Sequence, residues 1–198
     1  MKKALLIISS ICVAACALTA CNLSCADDGT SKDYNKFNSM LEAGYSKIVI
    51  TINNTFTDED VTLTSEYTVR YAQSEMVVNY KVERFSEFTL EHPATELKTV
   101  YEGSAVIVGG IISGGEEVEL TADIATLNFD FNKKYFENVT ISETFFAADV
   151  ADAGSFLGTE IDCTDMHVVA GFDEVFKSIT INYTQGKNEV EYKYIFTN

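Results

Sequence analysis

The sequence predicts a mainly β protein: a single antiparallel, curved sheet with one amphipathic helix at its N-terminal end. From Tyr45 to the C-terminus, apolar residues recur at every second position over long stretches, which is the period of half-buried strands. Only residues 34–41 show the three- and four-residue spacing of a helix. We count about ten strands, more than a flat open sheet holds comfortably. The sheet should therefore curl into a half-barrel or fold into a two-layer sandwich.

The first residues have the layout of an export signal rather than of a folded segment. Lys2 and Lys3 precede an apolar run at residues 4–18, and small residues then lead directly into Cys21. The run is fifteen residues long and contains two serines. It is therefore shorter than the roughly 20 apolar residues that a membrane-spanning helix needs.

The residues Leu18-Thr19-Ala20-Cys21 resemble the lipobox of a bacterial prelipoprotein. The resemblance covers residues 1–21 and implies that residues 1–20 are a removed signal peptide. It also implies that Cys21 becomes the first residue and carries a diacylglycerol thioether, usually with an N-linked acyl chain such as palmitate. Two alternatives remain, a plain secretory cleavage site and a weaker lipobox ending at Cys16.

A lipidated Cys21 would place the protein in the cell envelope. Two or three acyl chains hold a protein stably on a membrane, whereas one chain binds reversibly. We therefore expect an exported protein, anchored to the bacterial cell membrane by lipid and facing the outside or the periplasm. Residues 21–31 are small and polar and predict a flexible tether, and residues 32–198 predict a single β-rich domain. In that arrangement Cys25 and Cys163 either pair with each other or stay as free thiols.

The helix and the strands follow in order along the domain. Tyr34, Phe37, Met40 and Leu41 form one apolar helical face that should lie on the sheet. Alternation then predicts strands with turns at residues 57–60, 72–75, 132–134 and 185–188. The predicted strands cover residues 48–52, 61–71, 76–82, 118–124, 127–131, 139–141, 179–183 and 190–196.

Two further segments have mixed patterns. Residues 106–112 are apolar and interrupted by Gly109 and Gly110, which indicates a tight hairpin with both faces buried; a flap over a cavity or a lipid-touching tip is the alternative. Residues 144–158 predict a strand followed by one helical turn. The glycine pairs lack the spacing of a phosphate-binding loop, so no nucleotide cofactor is expected.

One group of side chains has the types that could hold a metal ion. On a regular strand, Cys163, Asp165 and His167 would point to the same side, and a thiolate, a carboxylate and an imidazole can share zinc. No second cluster of such residues completes the pattern. The alternative is the polar face of an ordinary strand, and no catalytic residue is predicted.

The charge of the chain limits its partners. The chain has 14 basic and 30 acidic residues. Without Lys2 and Lys3 the balance is 12 to 30, a net charge of −18. Phosphate backbones and anionic headgroups repel such a domain, so a nucleic-acid partner is not expected.

The order of elements suggests a family. An N-terminal amphipathic helix, then Gly44-Tyr45 and a long antiparallel meander, resembles the LolA/LolB-like half-barrel carriers of bacterial lipoproteins. The resemblance implies a curved sheet that holds acyl chains or related lipids, and it transfers no site residue. We expect a non-enzymatic binder of an apolar or lipid-like ligand in a concave sheet. The alternatives are a surface module of adhesion type that contacts an envelope protein, and an envelope enzyme.

Overall fold

The computed structural model describes residues 31–72, 75–86, 96–116, 118, 120, 124 and 126–198. In these residues ten antiparallel strands form one open, curved sheet, as the sequence predicts. All ten strands belong to a single continuous sheet. Ser31–Asn198 form one compact unit. The predicted signal peptide, Cys21 and most of the tether lie outside the described residues.

The helices and strands have the following bounds. They are α1 Ser31–Leu41, β1 Lys47–Phe56, β2 Val61–Tyr71, β3 Met76–Ser86, β4 Glu96–Val108, β5 Ile111–Gly114, a 3₁₀ turn Lys133–Tyr135, β6 Phe136–Ile141, β7 Phe145–Val150, α2 Ala153–Leu157, β8 Thr164–Phe172, β9 Phe176–Gln185 and β10 Asn188–Thr197. Neither described α-helix is long and apolar enough to cross a membrane.

The first and last strands meet at the centre of the sheet. The strand order is β5-β4-β3-β2-β1-β10-β9-β8-β7-β6. The first five strands thus run from the centre to one edge, and the last five run from the other edge back to the centre. β1 and β10 pair along their whole length, from Lys47 opposite Thr197 to Phe56 opposite Asn188. This long pairing joins the two meanders.

Aromatic side chains fill the space between α1 and the inner face of the sheet, the face that carries the buried residues. Phe37 of α1 is only 1% exposed. Its ring centroid lies 5.2–5.4 Å from those of Phe131, Phe146 and Phe172. Tyr34 packs on the same group of rings through Phe146. Over β7–β9 the inner face is therefore closed by the protein's own side chains.

The strands predicted at residues 118–124 and 127–131 are wrong for every residue described there. Leu127, Phe129 and Phe131 alternate as in a strand, but the Asp130 N–H donates to the Phe156 carbonyl at 2.9 Å, and the Phe131 backbone pairs with a side chain. The Asn38 amide donates to the Phe131 carbonyl at 3.1 Å, and its oxygen accepts from the Phe131 N–H at 2.8 Å. One asparagine on α1 thus takes the place of a neighbouring strand.

The hairpin at residues 106–112 has the predicted tight turn but not the predicted burial. Gly109 and Gly110 have φ values of +56° and +82°, which glycine adopts without steric cost. Ile107 is buried on the inner face, whereas Val108 and Ile111 are 49% and 72% exposed. β5 is a short strand at the edge of the sheet, and no residue that the structure describes covers the outer side of the hairpin.

Other local predictions are confirmed. Residues 144–158 form β7 and then the single turn of α2. The last hairpin turns where expected, with Gly186 at φ +63° between β9 and β10.

The strand over residues 96–105 was not predicted, because this segment has little alternation. It forms most of β4.

Candidate functional site: an aromatic cleft on β9 and β10

A cleft of about 220 Å³ opens where α1 and its aromatic cluster no longer cover the inner face of the sheet. β9 and β10 supply one wall. The opposite wall comes from the irregular residues 126–129 and from the segment that leaves α2. The cleft is lined by Thr126, Asn128, Phe129, Leu157, Thr159, Ile161, Ile181, Tyr183, Tyr192 and Tyr194.

The caps of α2 position the second wall. Asp152 accepts a hydrogen bond from the Ser155 N–H at 3.0 Å and so begins the helix. Gly158 ends it in the left-handed conformation, at φ +68°. Phe156, which has no exposed surface, fixes this single turn in the core. The chain then reverses, so that the next residues pass in front of β9.

The wall on β9 and β10 carries three tyrosines. The Tyr183 and Tyr192 ring centroids are 6.2 Å apart with planes 17° from parallel, and those of Tyr192 and Tyr194 are 6.4 Å apart at the same angle. The Phe129 ring stands at 81° to the Tyr194 ring, with centroids 5.3 Å apart. The cleft therefore has aromatic surfaces in two nearly perpendicular orientations.

The Tyr183 and Tyr194 hydroxyls remain neutral across the ordinary pH range, because their pKa values are raised. Burial is the main cause that raises the pKa of Tyr183, and the neighbouring Tyr192 raises it further. Burial and Tyr192 also raise the pKa of Tyr194. Each hydroxyl can therefore donate and accept a hydrogen bond, while the rings supply apolar surface. The lining suits a ligand with an apolar body and few polar groups.

Cys163 lies beside this cleft and packs partly against the core. Burial raises the pKa of its thiol, and the charge of Asp162 raises it further. Both effects reduce the thiolate fraction on which cysteine reactivity depends. Within the described residues Cys163 has no disulfide partner. Cys25 lies outside them, so the predicted choice between a pair and two free thiols stays a prediction.

The structure does not bring Cys163, Asp165 and His167 together as a metal site. β8 begins only at Thr164, and its register with β9 shifts between Thr164 and His167. Asp165 occupies this irregularity with a φ of +53°. Such a bulge breaks the two-residue alternation from which a shared face was predicted. In the described part of the chain, no group of three or more His, Cys, Asp and Glu could hold a metal ion.

His167 instead joins a polar pair on the outer face. Its Nδ1 lies 2.9 Å from Oδ1 of Asp149 on the neighbouring strand β7. Asn138 donates to the other oxygen of Asp149 at 2.7 Å. The hydrogen bond from Asn138, and then the one from His167, lower the pKa of Asp149. Because all three residues are well exposed to solvent, this arrangement resembles an ordinary surface network.

The sequence predicted an apolar ligand in a concave sheet but did not locate the cleft. Tyr192 and Tyr194 alternate on β10, and this pattern was visible as a row of rings on one face. The opposite wall was not predicted, because residues 127–131 were predicted to be a strand and residues 159–162 had no predicted structure.

Comparisons with known proteins identify no family for the chain. No protein-family model matches it, and no curated protein matches it. Among solved structures it is similar to the dehydratase domain from the CurF module of the curacin polyketide synthase. The identity is 10%, the match covers 82% of this chain and 80% of that chain, and the TM-score is 0.22. A TM-score this low supports no inference about fold or activity.

Proposed function

We propose that this protein is an exported, lipid-anchored envelope protein that binds a small, largely apolar group in the cleft on β9 and β10. The pattern of residues 1–21 supports the export and anchoring part of the proposal. The cleft supports the binding part, and it is the observation on which this part depends. A lining of rings, aliphatic side chains, hydroxyls and one amide suits non-enzymatic binding better than catalysis.

The size of the cleft limits what it can hold. Sites for drug-sized ligands usually enclose about 300–1,000 Å³. At about 220 Å³ this cleft fits one ring, a compact headgroup or a short stretch of acyl chain. The LolA/LolB-like resemblance remains part of the proposal, supported by a curved antiparallel sheet. However, Phe37 and its neighbours already occupy the inner face over β7–β9. We therefore expect a smaller ligand than an open half-barrel would hold.

We expect native mass spectrometry of the protein extracted from its membrane to show a co-purifying small molecule. The variant Ile161→Trp should lose most of it, since the larger side chain would fill the cleft. The matched control is Ile195→Trp, because Ile195 lies on β10, is 37% exposed and does not line the cleft. If both variants retain the molecule equally, or if no bound molecule is found in any preparation or after incubation with candidate ligands, the binding proposal is wrong.

A second candidate function is a contact with another envelope protein. The exposed pair Val108 and Ile111, at 49% and 72%, favours it, because these side chains form a small apolar tip beside the open edge strand β5. Edge strands can accept a strand from a partner. An affinity for envelope proteins that Ile111→Asp removes, with the cleft empty, would favour this function over ligand binding.

A further inference from the structure

We propose that the cleft selects a methylated ammonium group, of the trimethylammonium type, over neutral and anionic groups of the same shape. This inference rests on the proposed function of the cleft as a ligand site and names the chemistry of its ligand. It is argued from the aromatic walls, the distribution of charge and the polar groups at the mouth.

The walls of the cleft offer aromatic surfaces in the arrangement that attracts an organic cation. Four of the ten described residues that line the cleft are aromatic, namely Phe129 and the three tyrosines. The nearly perpendicular Phe129 and Tyr194 rings form a corner, and the Tyr192 ring continues it. The faces of aromatic rings carry negative potential, and cages of such rings bind quaternary ammonium ions.

The charges around the cleft favour a cation as well. Within the part of its lining that the structure describes there is no lysine or arginine. The segment that supplies Thr159 and Ile161 carries Glu160 and Asp162 at the alternate positions, both exposed. Asp162 also directly precedes Cys163, which packs partly against the core. An anion entering the cleft would therefore meet like charge without a compensating base.

The lining also distinguishes a methylated ammonium from a primary amine. A primary ammonium keeps three N–H donors that need acceptors. The described residues that line the cleft include no carboxylate, and their exposed polar side chains are Thr126, Asn128 and Thr159. A trimethylammonium group has no N–H donor and presents methyl groups to the rings. The threonines and the asparagine can then hold a hydroxyl or ester oxygen attached to it.

The test compares choline with its neutral carbon isostere, 3,3-dimethylbutan-1-ol, on the membrane-extracted protein by calorimetry. We expect choline to bind about tenfold more tightly or better, the difference that a desolvated cation–π contact supplies. Tyr192→Leu should remove this preference and Tyr192→Phe should keep it. Glu160→Gln and Asp162→Asn should each weaken choline binding a few-fold at low salt. Thermal unfolding checks that each variant is folded.

The outcomes separate this inference from the proposed function. Equal or tighter binding of the neutral isostere, blocked by Ile161→Trp, would overturn the ammonium preference and leave the cleft as a ligand site. Loss of choline binding in Ile161→Trp, together with the expected preference for choline, supports both the ammonium preference and the cleft as a ligand site. If Ile161→Trp leaves the binding of either probe unchanged, both claims are wrong. Binding to phosphatidylcholine vesicles, compared with phosphatidylglycerol vesicles and with free choline, then shows whether the group comes from a lipid headgroup or a free molecule.

Discussion

Replacing Phe37 with alanine should lower the free energy of unfolding by about 3–5 kcal/mol, the usual cost of removing a buried phenylalanine ring. Phe37 is 1% exposed and contacts rings from four other parts of the chain, at Phe131, Phe146, Phe172 and Phe176. The alanine would leave a cavity between α1 and the sheet that these rigid rings cannot fill without shifting. Urea denaturation followed by tyrosine fluorescence measures the change.

Asn35→Ala provides the control on the same helix. Asn35 is exposed and lies two residues from Phe37, so its replacement should change the free energy of unfolding by no more than about 0.5 kcal/mol. A loss below about 1 kcal/mol for Phe37→Ala would contradict the packing of α1 on the aromatic cluster. A large loss confined to Phe37→Ala would support it.

Replacing Asn38 with alanine should lower the free energy of unfolding by about 2–4 kcal/mol, because it leaves the backbone N–H and carbonyl of Phe131 without their partner. The same amide also donates to Asp130 at 3.2 Å. In the folded protein Phe131 is only 1% exposed. Without these hydrogen bonds we expect residues 126–131 to detach from α1. Amide hydrogen exchange of Phe131 reports the detachment directly.

Ser39→Ala is the matched control for Asn38→Ala. Ser39 is exposed, and its hydroxyl donates to the Asn35 carbonyl within the helix. Its replacement should leave the exchange at Phe131 unchanged. Equal exchange rates in both variants would show that the asparagine does not hold this segment.

The parts of the fold that could be predicted are those in which hydrophobic period and backbone pairing agree. β1 with β2, and β9 with β10, have regular alternation and short turns, and the structure pairs them as expected. The pairing of β1 with β10 was not predicted. Residues 127–131 have the same alternation but no strand, because a side chain on α1 satisfies the Phe131 backbone. A pattern of apolar residues does not show which group, backbone or side chain, will be the hydrogen-bond partner.

The candidate site was less predictable than the fold. The bulge at Asp165 breaks the alternation of side chains between the two faces of the sheet. Cys163 therefore lies beside the cleft, whereas His167 lies on the opposite side of the sheet. Nothing in the local sequence distinguishes this bulge from a regular strand. The cleft depends on long-range contacts, such as that between Phe129 and Tyr194, 65 positions apart in the chain. Periodicity along the chain does not contain this information.

The proposal that the protein is anchored by lipid can be tested by the intact mass of the protein purified from the membrane fraction. We expect a chain that lacks residues 1–20 and carries a diacylglycerol group on Cys21, with incorporation of labelled palmitate. Cys21→Ala should incorporate no label and should not be processed at that position. An intact mass without lipid, or equal labelling of the wild type and Cys21→Ala, would contradict the proposal.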